Sequence, residues 1–290
     1  MEDIFFQSDF FRNYNINEIK RINTGIDNQV YLIRCDKEKY IVRVCNQQRY
    51  CEDPNNFVYQ ANLLKRLSDT AFFSVPNILS VFRYKDTLAM IYPFIQGKCF
   101  IPKTEVEISS LVHVLDFNKK FNNFPQLDRL QTINLYYQNV NDLCNNLSDI
   151  WESDIKNIKA ELLGCLDTIT RQNRNLVHGD FHLGNIIWKG NDIVAVLDWD
   201  NWAIGDIESD VAHCYIDLLL LSNEKIASLF LERCINELKL EYPNLRFFLN
   251  YEAVYAEVNM HKWRNGFFGK NFSMSREMSS TLLNKAFNLF

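Results

Sequence analysis

With 290 residues, 47% of them hydrophobic and 22 Phe and 13 Tyr among them, the chain can bury one large core or two, and nine Gly and six Pro are too few for a disordered or fibrous protein. The formal net charge of −5 excludes the basic excess that a large nucleic-acid footprint requires, while it tolerates a cationic ligand. Eight cysteines stand singly at positions 35, 45, 51, 99, 144, 165, 214 and 234, with no CxxC pair and no zinc-type spacing, which reads as reduced thiols.

From the N-terminus, Met1 to Phe11 carries Glu2, Asp3 and Asp9 and no basic stretch, unlike a secretory signal. Short strands then follow one another: one near Ile19, a turn over Thr24-Gly25-Ile26-Asp27-Asn28, a strand from Val30 to Cys35, and its hairpin partner Tyr40 to Cys45 after the polar turn Asp36 to Lys39. Phe57, Ala61, Leu64 and Leu67 recur at helical spacing, and strand pattern returns at Val75 to Tyr84 and Leu88 to Tyr92. Beyond Pro93 to Gly97 the texture is helical, in three stretches marked by Leu111 to Leu115, Ile133 to Leu147 and Ile155 to Ile169. A β-rich island from Leu176 to Leu197 interrupts it, and helices resume near Ser209. The longest apolar run, Ile216 to Leu221, is far short of the ~20 residues a bilayer needs. The partition that follows is a small β-rich lobe with one inserted helix over residues 1–94, then a larger, mainly helical lobe over 95–290. A cytoplasmic location, with no membrane contact, completes the expectation.

Chemistry concentrates in the island. His178-Gly179-Asp180-Phe181-His182-Leu183-Gly184-Asn185 is followed, one hairpin later, by Leu197-Asp198-Trp199-Asp200. Phosphoryl transfer needs a carboxylate beside the acceptor hydroxyl and hard oxygen ligands for Mg²⁺ on the nucleotide phosphates, and Asp180, Asn185 and Asp198 are residues of that kind. Protein kinases place this set as H-R-D-x-x-x-x-N with a later metal-binding Asp; the spacing here is the same, and the DFG motif is absent. Either segment alone reads as an ordinary polar turn, whereas the ordered pair with its hairpin and lobe texture does not.

On these motifs the chain resembles the aminoglycoside phosphotransferase and choline kinase superfamily, small-molecule kinases in which HGDxHxxN and a later [IVL]-D-[WFP] stand in for the protein-kinase motifs. The resemblance implies an α+β, two-lobed, protein-kinase-like fold, with a nucleotide-binding N-terminal lobe and a C-terminal lobe holding the catalytic loop and acceptor site. It implies Asp180 as catalytic base, Asn185 and Asp198 as Mg²⁺ ligands, and His178 as a residue that holds the loop by hydrogen bonds. Gly205 to Val211 is similar to the family's G-D-P-x-x-D-[LIV] segment with Ile207 at the proline position, which makes Asp210 a brace for the loop. In the first lobe, Gly25 to Tyr31 resembles the turn that covers the nucleotide, with Gly25 and Asn28 as contacts. Ile91 and Tyr92 would hold adenine through the backbone, where Pro93 lacks one N–H. Arg43 would reach the α and β phosphates where many relatives carry Lys.

Gln60 falls where the family's helix carries a Glu that pairs with that cation. Glu52 or Asp53 replaces the Glu, or a neutral hydrogen bond does, or the register differs. Asp200, Glu257, His261 and Trp263 are candidates for acceptor contact, with Glu252 and Arg264 on the same late stretch. The implied activity is ATP- and Mg²⁺-dependent transfer of the γ-phosphate to a hydroxyl of an aminoglycoside-, choline- or sugar-like small molecule. The same fold also admits a Ser/Thr protein kinase, and Gln60 admits a nucleotide-binding pseudokinase. His178, Asp180 and His182 alternate in a way that also suits a zinc or iron hydrolase. Trp188, Trp199 and Trp202 read either as core or as a sugar platform.

Overall fold

β-Branched and aromatic residues alternate from Ile16 to Val44, and they build three antiparallel strands: Ile16–Arg21 (β1), Gln29–Cys35 (β2) and Glu38–Val44 (β3). The structure, a computed structural model, describes residues 8–22, 28–36, 38–52, 55–122, 133–146, 155–169 and 174–259. The chain divides into two compact units. One takes the chain to Gly97 and adds Val194–Asp200; the other takes Lys98–Ile193 and the chain from Asn201.

In the first unit, Ser80–Tyr84 (β4) and Thr87–Pro93 (β5) complete a five-stranded antiparallel sheet in the order β1-β2-β3-β5-β4. Between β3 and β4 stand a six-residue helix, Gln47–Glu52 (α1), absent from the sequence expectation, and the expected longer one, Asn56–Ser68 (α2). The strand pattern read from Val75 onward begins only at Ser80. Pro76 removes a ladder donor, and Ser74 instead makes a parallel bridge to Ala195.

One face of the sheet buries Tyr31, Ile33, Val42, Val44, Ala89 and Ile91, closed by Phe10, Phe11, Tyr14 and Tyr40, whose rings meet mostly edge to face. The other face packs Met90, Tyr92 and Ile41 against Phe57 of α2. Register pairs Arg43 with Val30 and with Met90, and period-two alternation therefore sends its side chain to this second face. On α2 the buried stripe is Phe57, Gln60, Leu63, Leu64 and Leu67. Gln60 is a polar member of an otherwise apolar face.

In the second unit, Glu105–Lys120 (α3) starts at a capping box. Thr104 Oγ1 accepts the Glu107 N–H at 3.3 Å, and Glu107 Oε2 accepts the Thr104 N–H at 3.0 Å. Ile133–Asn145 (α4) and Ile155–Asp167 (α5) pair with each other. Asn175–Val177 (β6) then enters the island, followed by Ile186–Lys189 (β7) and Asp192–Val196 (β8), the latter running on into residues of the first unit. Ala203–Gly205 (β9) pairs antiparallel with β6, matching Val177 to Ala203. Glu208–Leu221 (α6) is buried on most of its circumference because Glu224–Leu238 (α7) and Tyr242–Asn259 (α8) both pack on it. No described helix is long and apolar enough to cross a membrane.

Candidate active site

The loop that leaves β6 is fixed by its own backbone and by α6. Both oxygens of Asp210, in the first turn of α6, accept loop N–H groups: Oδ2 from His178 at 2.7 Å and Oδ1 from Gly179 at 2.9 Å. Asp210 is 1% exposed. Burial pushes its carboxyl up to about 7, against the two N–H bonds that favour the anion. Gly179 takes φ +77°, a left-handed conformation that favours glycine, and passes so close to the Asn201 carbonyl that a Cβ has no room.

The buried ring of His178 accepts the Asp180 N–H at its Nδ1, 3.3 Å away. His182 caps the short 3₁₀ turn Leu183–Asn185 by accepting the Gly184 N–H at Nδ1, 3.0 Å. Leu183 N–H donates to Asp217 Oδ2 at 2.9 Å, a second anchor from α6. Asp210 takes a pair of N–H groups, one on each oxygen, whereas Asp217 and the two imidazoles each take a single one.

Asn185 closes the loop on Asp180. Its Nδ2 donates to the Asp180 backbone oxygen at 3.0 Å and to Oδ2 at 3.2 Å. Its Oδ1 is then the atom left to ligate a cation, and an amide oxygen suits Mg²⁺. The other oxygen of Asp180, Oδ1, lies 3.7 Å from His213 Nε2, and His213 Nδ1 lies 2.9 Å from Glu252 Oε2. His182 Nε2 is 3.8 Å from Asp180 Oδ2. A cavity of about 220 Å³ opens in front of this group; Asp180, His213, Glu252, Tyr136, Tyr251 and Tyr255 are among its lining residues. Tyr136 is positioned by Asp206, a buried carboxylate that accepts its hydroxyl at 3.2 Å and the Asn244 amide at 2.9 Å.

The first unit carries a second polar cluster. Arg43, 9% exposed, donates to Asp200 and lies 3.3 Å from Asp198 Oδ1. Gln60 Nε2 donates to the other oxygen of Asp200, and Asn28 Nδ2 donates to Asp200 at 3.4 Å. Gln60 and Arg43 thus share one carboxylate, and the anion that the α2 position lacks comes from Asp200. Burial disfavours the Arg43 cation, but nearby Asp198 and Tyr92 more than offset it and hold the guanidinium protonated. Burial pushes the Tyr92 phenol up to about 12 in spite of Arg43. Asp198, with φ +59° and an exposed side chain, presents a carboxylate oxygen, also a hard ligand.

Of the residues expected from sequence, His178, Asp180 and Asn185 come together in the second unit, and Asn28, Arg43, Gln60, Asp198 and Asp200 in the first. Asp200, expected at the acceptor, is bound to Arg43, Gln60 and Asn28. Ile91 and Tyr92 lie inside β5, where the Ile91 carbonyl accepts the Leu79 N–H at 2.8 Å. Glu257 lies on α8 but does not line the cavity, whereas Glu252 does. Gly25, His261, Trp263, Arg264 and Asp53 lie outside the described residues, as does the side chain of Glu52. Trp188, Trp199 and Trp202 are each at most 1% exposed and belong to the core. Among the described residues no group of three or more His, Cys, Asp or Glu could hold a metal ion, so the His178-Asp180-His182 alternation does not form a zinc-type site. His213 is a member of the site that its own surroundings in sequence do not single out. What signal there is lies in the spacing Asp210, His213, Asp217, which puts three ionisable side chains on one face of α6.

A sequence model of the phosphotransferase enzyme family (APH) matches residues 18–248. The chain belongs to that family. It is therefore an enzyme, a phosphotransferase with the two-lobed, protein-kinase-like α+β fold. Among solved structures, it is similar to a thermostable variant of aminoglycoside phosphotransferase APH(4)-Ia in ternary complex with AMP-PNP and hygromycin B, at TM-score 0.69 and 16% identity, covering 96% of this chain and 97% of that one. It is also similar to ADP-bound aminoglycoside phosphotransferase APH(2'')-Ib, at TM-score 0.63 and 17% identity over 99% and 97% of the two chains. A third likeness is to macrolide 2'-phosphotransferase MphH from Brachybacterium faecium, at TM-score 0.63 and 14% identity over 99% and 98%. No curated protein sequence matches the chain.

Proposed function

We propose that this phosphotransferase moves the γ-phosphate of Mg·ATP to a hydroxyl of a small, aminoglycoside-, choline- or sugar-like molecule in the cytoplasm. The observation that supports the reading most directly is the Asp180 carboxylate at the wall of a polar, aromatic-lined cavity, on a loop whose backbone is tied twice to Asp210. Asp180 orients the acceptor hydroxyl and takes its proton as the oxygen attacks phosphorus. His178, Asp210 and Asn185 hold that carboxylate in place, so that little reorganisation accompanies the step.

The nucleotide-binding role falls to residues 1–94, to which Val194–Asp200 adds Asp198 and Asp200, and the acceptor role to the rest of 95–290. Arg43 offers its charge to the α and β phosphates, with Gly25 and Asn28 at the covering turn and Ile91 and Tyr92 at the adenine. Asn185 and Asp198 would each offer Mg²⁺ a hard oxygen donor, an amide and a carboxylate oxygen of the kind this ion takes. When bound, the ion would neutralise charge on the transferring phosphoryl group. The AMP-PNP and ADP complexes of the similar structures accord with this reading, as does the hygromycin B in one of them.

Thermal-shift titration tests the nucleotide half. Mg·ATP should raise the melting temperature of the wild type more than ATP alone, and Asp198→Ala should lose the Mg²⁺-dependent part. No stabilisation by millimolar nucleotide in the wild type would remove the ATP reading.

A further inference from the structure

His213 sits between two carboxylates, one on each ring nitrogen: Glu252 Oε2 at 2.9 Å from Nδ1 and Asp180 Oδ1 at 3.7 Å from Nε2. Its side chain is 19% exposed and that of Glu252 14%. We propose that Glu252 and His213 form a positioning pair for the acceptor base, Glu252 fixing the ring and the ring's Nε2 holding Oδ1 of Asp180 at the cavity wall. The proposal rests on the reading of Asp180 as that base.

Ring chemistry requires the cationic form for this arrangement. In a neutral imidazole with its proton on Nδ1, for Glu252, the Nε2 lone pair would point at the Asp180 anion; with the proton on Nε2, the lone pair would point at Glu252. Only the imidazolium presents an N–H on both sides, in a hydrogen bond to Glu252 at 2.9 Å and in an ion pair, too long for a hydrogen bond, with Asp180 at 3.7 Å. The surroundings favour it: Glu252 comes from α8, Asp180 from the loop, and Asp210 and Asp217 from one turn either side on α6 itself. His182, from the loop, is the other ring nearby, 6.2 Å between centroids. Burial, the largest single influence, pulls the His213 imidazole down, but the charge and hydrogen bond of Glu252 together with Asp180 and Asp217 more than offset it, and the group is pushed up to about 10.

Asn185 then holds the carboxylate at Oδ2 by a hydrogen bond, and the His213 charge holds it at Oδ1 as an ion pair. His213 and Glu252 both line the cavity, so the pair also shapes the wall the acceptor meets. The role is a positioning one: the pair acts on the reaction through Asp180.

The experiment is a ring-nitrogen NMR titration of [¹⁵N]histidine-labelled full-length protein, with phosphate release from Mg·ATP followed in parallel, for wild type, Glu252→Gln, Asp180→Asn and His213→Gln; the last assigns the His213 signals. In the wild type His213 should be doubly protonated at pH 7.5. Its pKa should fall by about one pH unit or more in Glu252→Gln and also in Asp180→Asn. Phosphate release should drop ~10- to 100-fold in His213→Gln with little change in KM for ATP. In Glu252→Gln its alkaline decline should move to lower pH. A neutral His213 at pH 7.5, or a pKa unmoved by Asp180→Asn, overturns the pair whatever the turnover. If Asp180→Asn is inactive while His213→Gln releases phosphate at the wild-type rate, the pair fails and the base assignment stands. If Asp180→Asn itself keeps full turnover, the base reading fails, and the pair's catalytic role falls with it.

Discussion

Gly179→Ala perturbs the catalytic loop at the point where geometry leaves least room. The native φ of +77° costs an L-residue about 1–2 kcal/mol, and the new Cβ would stand 2.8 Å from the Asn201 carbonyl carbon, closer still to its oxygen. Ordinary contact begins at 3.4 Å, so Asn201 or the loop must retreat by more than an ångström to clear the oxygen. A retreat of the loop stretches the Gly179 N–H away from Asp210 Oδ1, and a lost bond at a buried acceptor adds about 1–3 kcal/mol. Together these put the destabilisation at about 2–5 kcal/mol. Asp180 is the next residue, and a displacement of that size at the base should lower turnover about 100-fold. Urea unfolding measures the first quantity, and initial rates of phosphate transfer per mole of folded protein measure the second. A variant within about 0.5 kcal/mol of wild type and equally active would refute the claim that this backbone is held at its limit.

Further consequences concern the braces and charges. Asp210→Ala leaves the His178 and Gly179 N–H groups without their acceptor and should cost about 2–6 kcal/mol in urea unfolding; Asp210→Asn, which keeps one oxygen, should cost less. Asp200→Asn removes the charge shared by Arg43 and Gln60. Because Asp198 stays 3.3 Å from Arg43, the loss should fall short of the ~3–5 kcal/mol of an orphaned buried charge, and Mg·ATP titration should show weakened nucleotide binding. His213 is held above its ordinary 6.5, at about 10, so its contribution to stability is whole below about pH 6.5 and lost as pH rises through 10. The difference in melting temperature between wild type and His213→Gln should therefore narrow across that interval; a gap constant from pH 6.5 to 10 would contradict it.

The loop was legible in sequence because its chemistry is local. His178, Asp180 and Asn185 reach one another within eight residues, and the Asp198 strand end follows one hairpin later. The pairing of Gln60 was not legible, since its partner Asp200 lies 140 residues away and none of the alternatives open for the α2 position, Glu52 or Asp53, a neutral hydrogen bond or another register, names Asp200. A clue lay in the α2 stripe, where Gln60 shares the buried face with Phe57, Leu64 and Leu67, a place that obliges a polar group to find a partner. The late stretch already pointed to Glu252, but its pairing with His213 was hidden for the same reason, 39 residues apart and joined only when α8 packs on α6. Among the strands, the apolar run from Val75 read as continuous, but Pro76 and the bridge from Ser74 to Ala195 delay the strand to Ser80. The short helix α1 carries little apolar periodicity and left no comparable mark.

The central claim is that Asp180 serves phosphoryl transfer to a small-molecule hydroxyl, and ³¹P NMR of Mg·ATP with a panel of hydroxylated amines and sugars tests it, wild type against Asp180→Asn. The account predicts a new phosphomonoester resonance with matching ADP in the wild type, and none in Asp180→Asn, although the variant melts normally and is still stabilised by Mg·ATP. Transfer by Asp180→Asn at the wild-type rate would contradict it.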